Sequence, residues 1–218
     1  MLRPFVCAMA VFGSAGFAAA DFYSDASFDI HDQSLSNLDL TGAEITNDAD
    51  NLYVSIFVDD INADWGKYVM MIDVLEAPGP GSDSNPWGRS IDTSSGIDAF
   101  MGSWVDGGGG SQLFTYSEAW NSSGTADVTI GWSENRIDYS ISLGALGLSI
   151  GDTFAFDIGT TGGGDNDPAI DLLSTNAVQP GWGQGSYSPM AYSYNVIPTP
   201  GVISLALVCG LGSRRRRD

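Results

Sequence analysis

The clearest pattern along the chain is strict alternation. In "NRIDYSISL", Ile137, Tyr139, Ile141 and Leu143 are separated by Asp138, Ser140 and Ser142, the period of two expected of a strand with one buried face. "NLYVSIFVDD" puts Leu52, Val54, Ile56 and Val58 on one face and Tyr53, Ser55 and Phe57 on the other, which predicts a central strand covered on both sides. Further strands are expected at 38–46, 67–75, 97–105, 111–120, 126–132, 152–160 and 189–196. Between them, "NDADN", "DDINADWG", "APGPGSDSNPWG", "VDGGGGS", "NSSG", "SEN" and "TTGGGDND" read as turns. "LGALGLSIG" near 143–151 is the one expected helical turn. With no repeat, no linker before Val196 and no amphipathic helix long enough for a crossover, the expected fold is all-β. It is a single antiparallel β-sandwich of about 8–10 strands over 21–196, jelly-roll or immunoglobulin-like.

The two ends depart from this pattern. "MLRPFVCAMAVFGSAGFAAADFY" has one early positive charge, an apolar run and small residues at Ala18, Ala19 and Ala20. That is the form of a secretory signal over 1–20, an N-terminal signal helix cut by signal peptidase at an Ala18-x-Ala20 site. The other end, "IPTPGVISLALVCGLGSRRRRD", joins a proline pair, a short hydrophobic helix and four arginines. Gly201 to Gly212 would extend roughly 18 Å as a helix, short of a ~30 Å hydrocarbon core unless flanking residues and snorkelling arginines help. Signal first, body outside and arginines inside agree with the charge rule for membrane orientation. Both cysteines, Cys7 and Cys209, fall in these terminal segments, so the body has no thiol chemistry.

Removing the ends changes the charge picture. Lys67, Arg89 and Arg136 stand against 26 carboxylates in the body, a net of −23. Such a surface excludes nucleic acid and anionic membranes as partners, because both demand clustered Lys and Arg. Twenty-two of the 26 carboxylates are Asp, a residue of turns and calcium-binding loops, which suits a loop-rich β protein and equally a saline habitat.

Three chemistries are open to these residues. Catalysis would have to centre on the lone imidazole, His31, in the polar run "FDIHDQS", or on a carboxylate pair that abundance alone does not single out, so no catalytic residue and no enzyme is expected. Calcium is the one cofactor that the oxygen-rich turns suit: Asp48 and Asp50, then Asp59, Asp60 and Asp64, then Asp165, Asp167 and Asp171, none of them in an EF-hand spacing. Six tryptophans are many for this length. Trp65, Trp87 and Trp182 lie in Gly- and Pro-containing loops, and with Trp120 they are the candidate platforms for stacking on a sugar ring. Trp132 follows Val128 and Ile130 on one strand face and is expected in the core.

"ITNDADNLYVSIFVDDINADWGKYVMMIDV" followed by "NRIDYSISLGALGLSIGDTFAFDIGTT" resembles the β-sandwich domains related to family-nine carbohydrate-binding modules and the DOMON group. The likeness spans most of 38–160 and implies a sandwich that binds glycan through aromatic side chains, without assigning individual positions. The tail, Pro198, Thr199, Pro200 and Gly201, then the apolar run, then Arg214, Arg215, Arg216 and Arg217, resembles the PEP-CTERM sorting signal of exosortase-bearing bacteria, with Thr199 where the motif has Glu. That resemblance implies an exported protein held transiently in the inner membrane and cut by an exosortase-type membrane protease. Cell surface or extracellular matrix would be its destination. The expected function is therefore a non-catalytic binding module for neutral polysaccharide or another matrix component, or else a structural matrix protein with calcium-bridged loops.

Overall fold

A computed structural model describes residues 19–61 and 65–198. In chain order the strands are β1 (Asp21–Ser24), β2 (Leu40–Asn47), β3 (Asn51–Val58), β4 (Lys67–Val74), β5 (Ile91–Thr93), β6 (Ala99–Trp104) and β7 (Gly110–Ser117). They continue as β8 (Ala119–Gly124), β9 (Asp127–Gly131), β10 (Arg136–Ser142), β11 (Thr153–Thr161), β12 (Ala169–Leu172), β13 (Ser186–Ser188) and β14 (Tyr192–Asn195). No helix of seven or more residues occurs among the described residues, so the class is all-β. The expected helical turn is a 3-10 turn at Leu143–Leu146, closed by Gly147 in the left-handed region at φ 72°.

Two antiparallel sheets face each other. The first has the order β1-β2-β3-β10-β9, the second β12-β11-β4-β6-β7-β8, with β14 also paired to β11. The inward residues predicted by alternation meet here. Leu52, Val54 and Ile56 of β3 and Ile137, Tyr139 and Ile141 of β10 pack against Met70 and Ile72 of β4 and Phe154, Phe156 and Ile158 of β11. Each such side chain is worth roughly 1.5–3 kcal/mol once removed from water. A polar rivet crosses this core: the hydroxyls of Tyr139 and Ser103 lie 2.8 Å apart, and Ser103 Oγ also donates to the Tyr68 carbonyl. Burial drives the Tyr139 phenol well above its ordinary range.

The sheets differ in their outer faces. On β3, the outward residues Tyr53, Ser55 and Phe57 are only half-buried, so the strand is central but covered fully on one side. Double cover belongs instead to β4, where Val69 and Met71 join Phe100, Ile91, Ile97, Ala169, Leu172 and Met190 in a second core. Segments 75–98 and 173–191 fold over this outer face, and β5 and β13 pair in parallel within them. Trp132 is a correction: it sits past the end of the edge strand β9, in a turn, and is 46% exposed.

The chain enters and leaves this body side by side. Asp21 on β1 lies opposite Ile45 of β2. Two residues further on, the amide of Asn47 clamps Ile197, donating to its carbonyl at 2.9 Å and accepting from its N–H at 3.1 Å. The signal helix, Ala18 of the cleavage site and the tail from Thr199 to Arg217 lie outside the described residues, while Ala20 and Pro198 are exposed at their margins.

Candidate functional site

On the outer face of the second sheet, the register Lys67 opposite Trp104 opposite Gly110, with Lys67 also opposite Thr161, sets one row of side chains. Their chain neighbours Tyr68, Ser103 and Ser111 are buried on the core side, so this row points outward. Two strand glycines leave bare backbone here. A Cβ at Gly102 would collide with the Trp87 indole, and one at Gly110 with the Trp104 indole, so each ring lies flat against a strand where no side chain intervenes.

The result is a shelf. The two ring centroids are 6.4 Å apart with planes 34° apart. Trp87 is braced beneath by Phe100 and tied at its polar edge, where Nε1 donates to Gln112 Oε1 at 2.8 Å. The Arg89 guanidinium stands 5.4 Å from the Trp87 ring centroid and donates to the Gly164 carbonyl. The Lys67 ammonium pairs with Asp106 and holds that carboxyl below its usual range. Lys67, Trp87, Arg89 and Trp104 enclose an open pocket of about 250 Å³. Two of the body's three basic residues thus border one aromatic surface, a flat apolar platform edged by hydrogen-bond donors.

Of the four tryptophans singled out from sequence, only Trp87 lines this shelf. Trp65 is exposed two residues before Lys67, with its carbonyl accepting from Asn37 Nδ2 at 2.7 Å. Trp182 is exposed at the same end of the sheet, lying over Gly162, next to Thr161, with His31 edge-on at 6.2 Å. Trp120 is half-buried on β8, packs on Phe100 and Tyr116, and donates to the Ser84 carbonyl. Trp104, Lys67, Arg89 and Gln112 were not foreseen. The available signal was the glycines inside "FMGSW" and at the start of "GSQLF", which mark close approach of another group to a strand.

A second, different site lies at the edge of the sandwich. Carboxylate oxygens of Asp29, Asp39 and Asp171 all lie within 4.8 Å of one another. Asp29 belongs to the lead-in between β1 and β2, Asp39 immediately precedes β2, and Asp171 is on β12 of the other sheet. Backbone N–H groups orient two of them: Phe28 donates to both oxygens of Asp39, and Leu40 and Leu172 donate to Asp171 at 2.7 and 2.8 Å. Phe28 adopts a left-handed φ of 68° to do so. Asp25 stands beside them. Burial and the neighbouring Asp171 push Asp25 up to about 9, and burial pushes Asp171 up to about 8.

Of the eight aspartates proposed as calcium ligands from sequence, Asp171 is the one that joins a three-carboxylate group among the described residues. Asp48 instead caps its own turn, accepting from the N–H groups of Asp50 and Asn51 and from the Tyr53 hydroxyl. Asp50, Asp60 and Asp165 are exposed and Asp59 is half-buried. Asp167 accepts from the Gly164 N–H, and Asp64 lies outside the described residues.

No protein-family model and no curated protein sequence matches the chain.

Proposed function

We propose that this protein is an exported, non-catalytic binding module of the cell surface or extracellular matrix, with a glycan as its ligand. The observation that carries this reading is the pair of indoles laid on Gly102 and Gly110 beside Lys67 and Arg89. Stacked sugar C–H faces and donors at the rim are what neutral polysaccharide recognition requires. A sandwich of the kind found in family-nine carbohydrate-binding modules and DOMON-like domains, jelly-roll or immunoglobulin-like in type, is the frame that this reading implies. Export would use signal peptidase at Ala18-x-Ala20. Sorting would use an exosortase-type protease at the tail from Pro198 to Arg217, with transient anchoring in the inner membrane by that tail. Among the described residues, no helix is long and apolar enough to cross a membrane.

Isothermal titration of the full chain against a panel of neutral polysaccharides tests the reading. Binding that weakens about tenfold or more in Trp104→Ala, with unchanged circular dichroism, is the expected result, since tenfold is about 1.4 kcal/mol and within reach of one lost stacking ring. No binding across the panel, or full affinity in both Trp87→Ala and Trp104→Ala, would overturn it.

A second reading has an observation of its own. A structural matrix protein with calcium-bridged loops is favoured by the convergence of Asp29, Asp39 and Asp171.

A further inference from the structure

Positive charge is scarce in this body, and it is not spread out. Lys67, Arg89 and Arg136 are the basic side chains of the described residues. Two of them, Lys67 and Arg89, line the pocket of about 250 Å³ beside Trp87 and Trp104. The third, Arg136, pairs with Asp138 on the other sheet. A neutral sugar needs hydrogen-bond donors at such a rim but no net charge, and amide side chains such as Gln112 would supply them. Cations kept at this one place, against 26 carboxylates in the body, are a feature that stacking alone does not explain.

Both cations have donors to spare. The Lys67 ammonium carries three N–H groups and gives one, to Asp106. Arg89 donates from Nη1 to the Gly164 carbonyl and forms no ion pair among the described residues. Its Nε–H is shut off from water and has no acceptor. Burial lowers the pKa of this guanidinium, the mark of a cation whose lost water is incompletely replaced, although the carboxylates of Asp165 and Asp167 act the other way. The residue is also held from behind. Asn85, itself buried, accepts from the Arg89 N–H at 2.9 Å and donates to the Arg89 carbonyl at 2.8 Å, and the next N–H, of Ser90, is given to the Asp167 carbonyl at 3.1 Å. A donor whose backbone is already fixed loses little entropy when an acceptor arrives.

We propose that the shelf selects a sugar unit bearing a carboxylate, a uronic acid, within an otherwise neutral polysaccharide, and that Arg89 and Lys67 determine this specificity. The inference rests on the glycan reading above and narrows it. In a pyranose uronic acid the carboxylate replaces the exocyclic hydroxymethyl group at the rim of the ring. The C–H face is therefore free to lie on indole while the carboxylate reaches a group standing beside it. The Arg89 guanidinium, 5.4 Å from the Trp87 ring centroid, stands in that position, and its planar fork matches a carboxylate with two parallel N–H···O bonds. Lys67 adds a second charge from β4. The rest of the molecule sets the limit. A body of net −23 repels a polyanion at long range, so a chain with scattered uronates suits it and a densely charged one does not.

The test is isothermal titration of the full chain, in calcium-free buffer, against a neutral polysaccharide carrying scattered glucuronate units and against the same polymer with those carboxylates methyl-esterified. Both forms should bind, the free acid about tenfold tighter, a difference on the order of 1.4 kcal/mol. The preference should fall to about twofold or less in Arg89→Gln and weaken in Lys67→Gln. It should stay whole in Arg136→Gln, whose side chain is on the other sheet. Because the preference is a ratio, loss of the Arg89 contact with Trp87 cancels from it. Equal affinity for the two forms overturns the inference and leaves the glycan reading standing. So does a preference that survives Arg89→Gln and Lys67→Gln together. Binding of neither form overturns the glycan reading, and the inference with it.

Discussion

The indole shelf and the acid pocket rest against the same sheet and solve opposite problems. At the shelf, Trp87 and Trp104 lie on glycine backbone, and the polar groups around them are spoken for: the Trp87 N–H by Gln112, the Lys67 ammonium by Asp106. Its polar groups already have partners within the protein, so a ligand adds stacking contact and bonds from the N–H groups that Lys67 keeps to spare. At the acid pocket, carboxyl groups of Asp29, Asp39 and Asp171 crowd together with no basic side chain beside them among the described residues. That place is unfinished until something positive, a proton or a cation, arrives. A binding surface and a structural ion site are thus distinguished by whether the polar groups are satisfied before anything binds.

The largest effect that bears on this contrast comes from the floor of the shelf. Phe100 is fully buried and touches Trp87, Phe114 and Trp120, so Phe100→Ala should cost about 3–5 kcal/mol in denaturant unfolding and abolish glycan binding. The rise in melting temperature with calcium that the second reading expects should persist. Its loss in that variant would show that the two regions are coupled and break the comparison.

Asp157 sharpens the contrast from the other side, because it is a buried carboxylate with four donors. Burial nevertheless raises it from 3.8 to about 6, so the folded chain holds its proton more tightly than the unfolded chain does. The stability it contributes is therefore fully present below pH 3.8 and lost as pH rises through about 6. Between pH 4 and 7 the stability of the unaltered protein should fall by roughly 3 kcal/mol relative to Asp157→Asn. A difference that stays flat with pH would mean that the four hydrogen bonds already offset the burial.

The smallest effect belongs to the third basic residue. Arg136 pairs with Asp138 on the open face of the first sheet, where both are partly exposed, and Arg136→Ala should change stability by no more than about 0.5 kcal/mol. A larger loss would place part of the protein's electrostatic stability on that face.

How much of this could be read from the chain follows from the range of the interactions. β3, β10 and β11 announce themselves because alternation is local and each has a face in the main core, and β4 does so by an unbroken apolar run buried on both faces. The second half of β8 reads as the turn "NSSG", after an expected strand ending at 120, because an edge strand carrying Asn121, Ser122 and Ser123 buries little and shows no apolar period. β12 was hidden inside "GGGDNDPAID", whose Asp-rich beginning looked like a ligand loop, although Ala169, Ile170 and Leu172 are buried. The acid pocket was the least legible. Asp29 and Asp39 are separated from Asp171 by more than a hundred residues, and only sheet pairing brings them together. Trp104 stands in a strand, and strand position alone does not say which face it takes.

The clamp of Asn47 on Ile197 also decides how the body is presented. Both chain exits lie at the end of β11 near Thr153, where Asn195 is its partner, whereas the shelf lies at the Thr161 end, opposite Lys67. Nine residues of strand separate the two ends, on the order of 25 Å at ~3.3 Å each. Held by either end, the domain is a pendant whose point of suspension is at one pole and whose shelf of Trp87 and Trp104 is at the other. Changing which terminus carries the leash would leave the same pole facing outward.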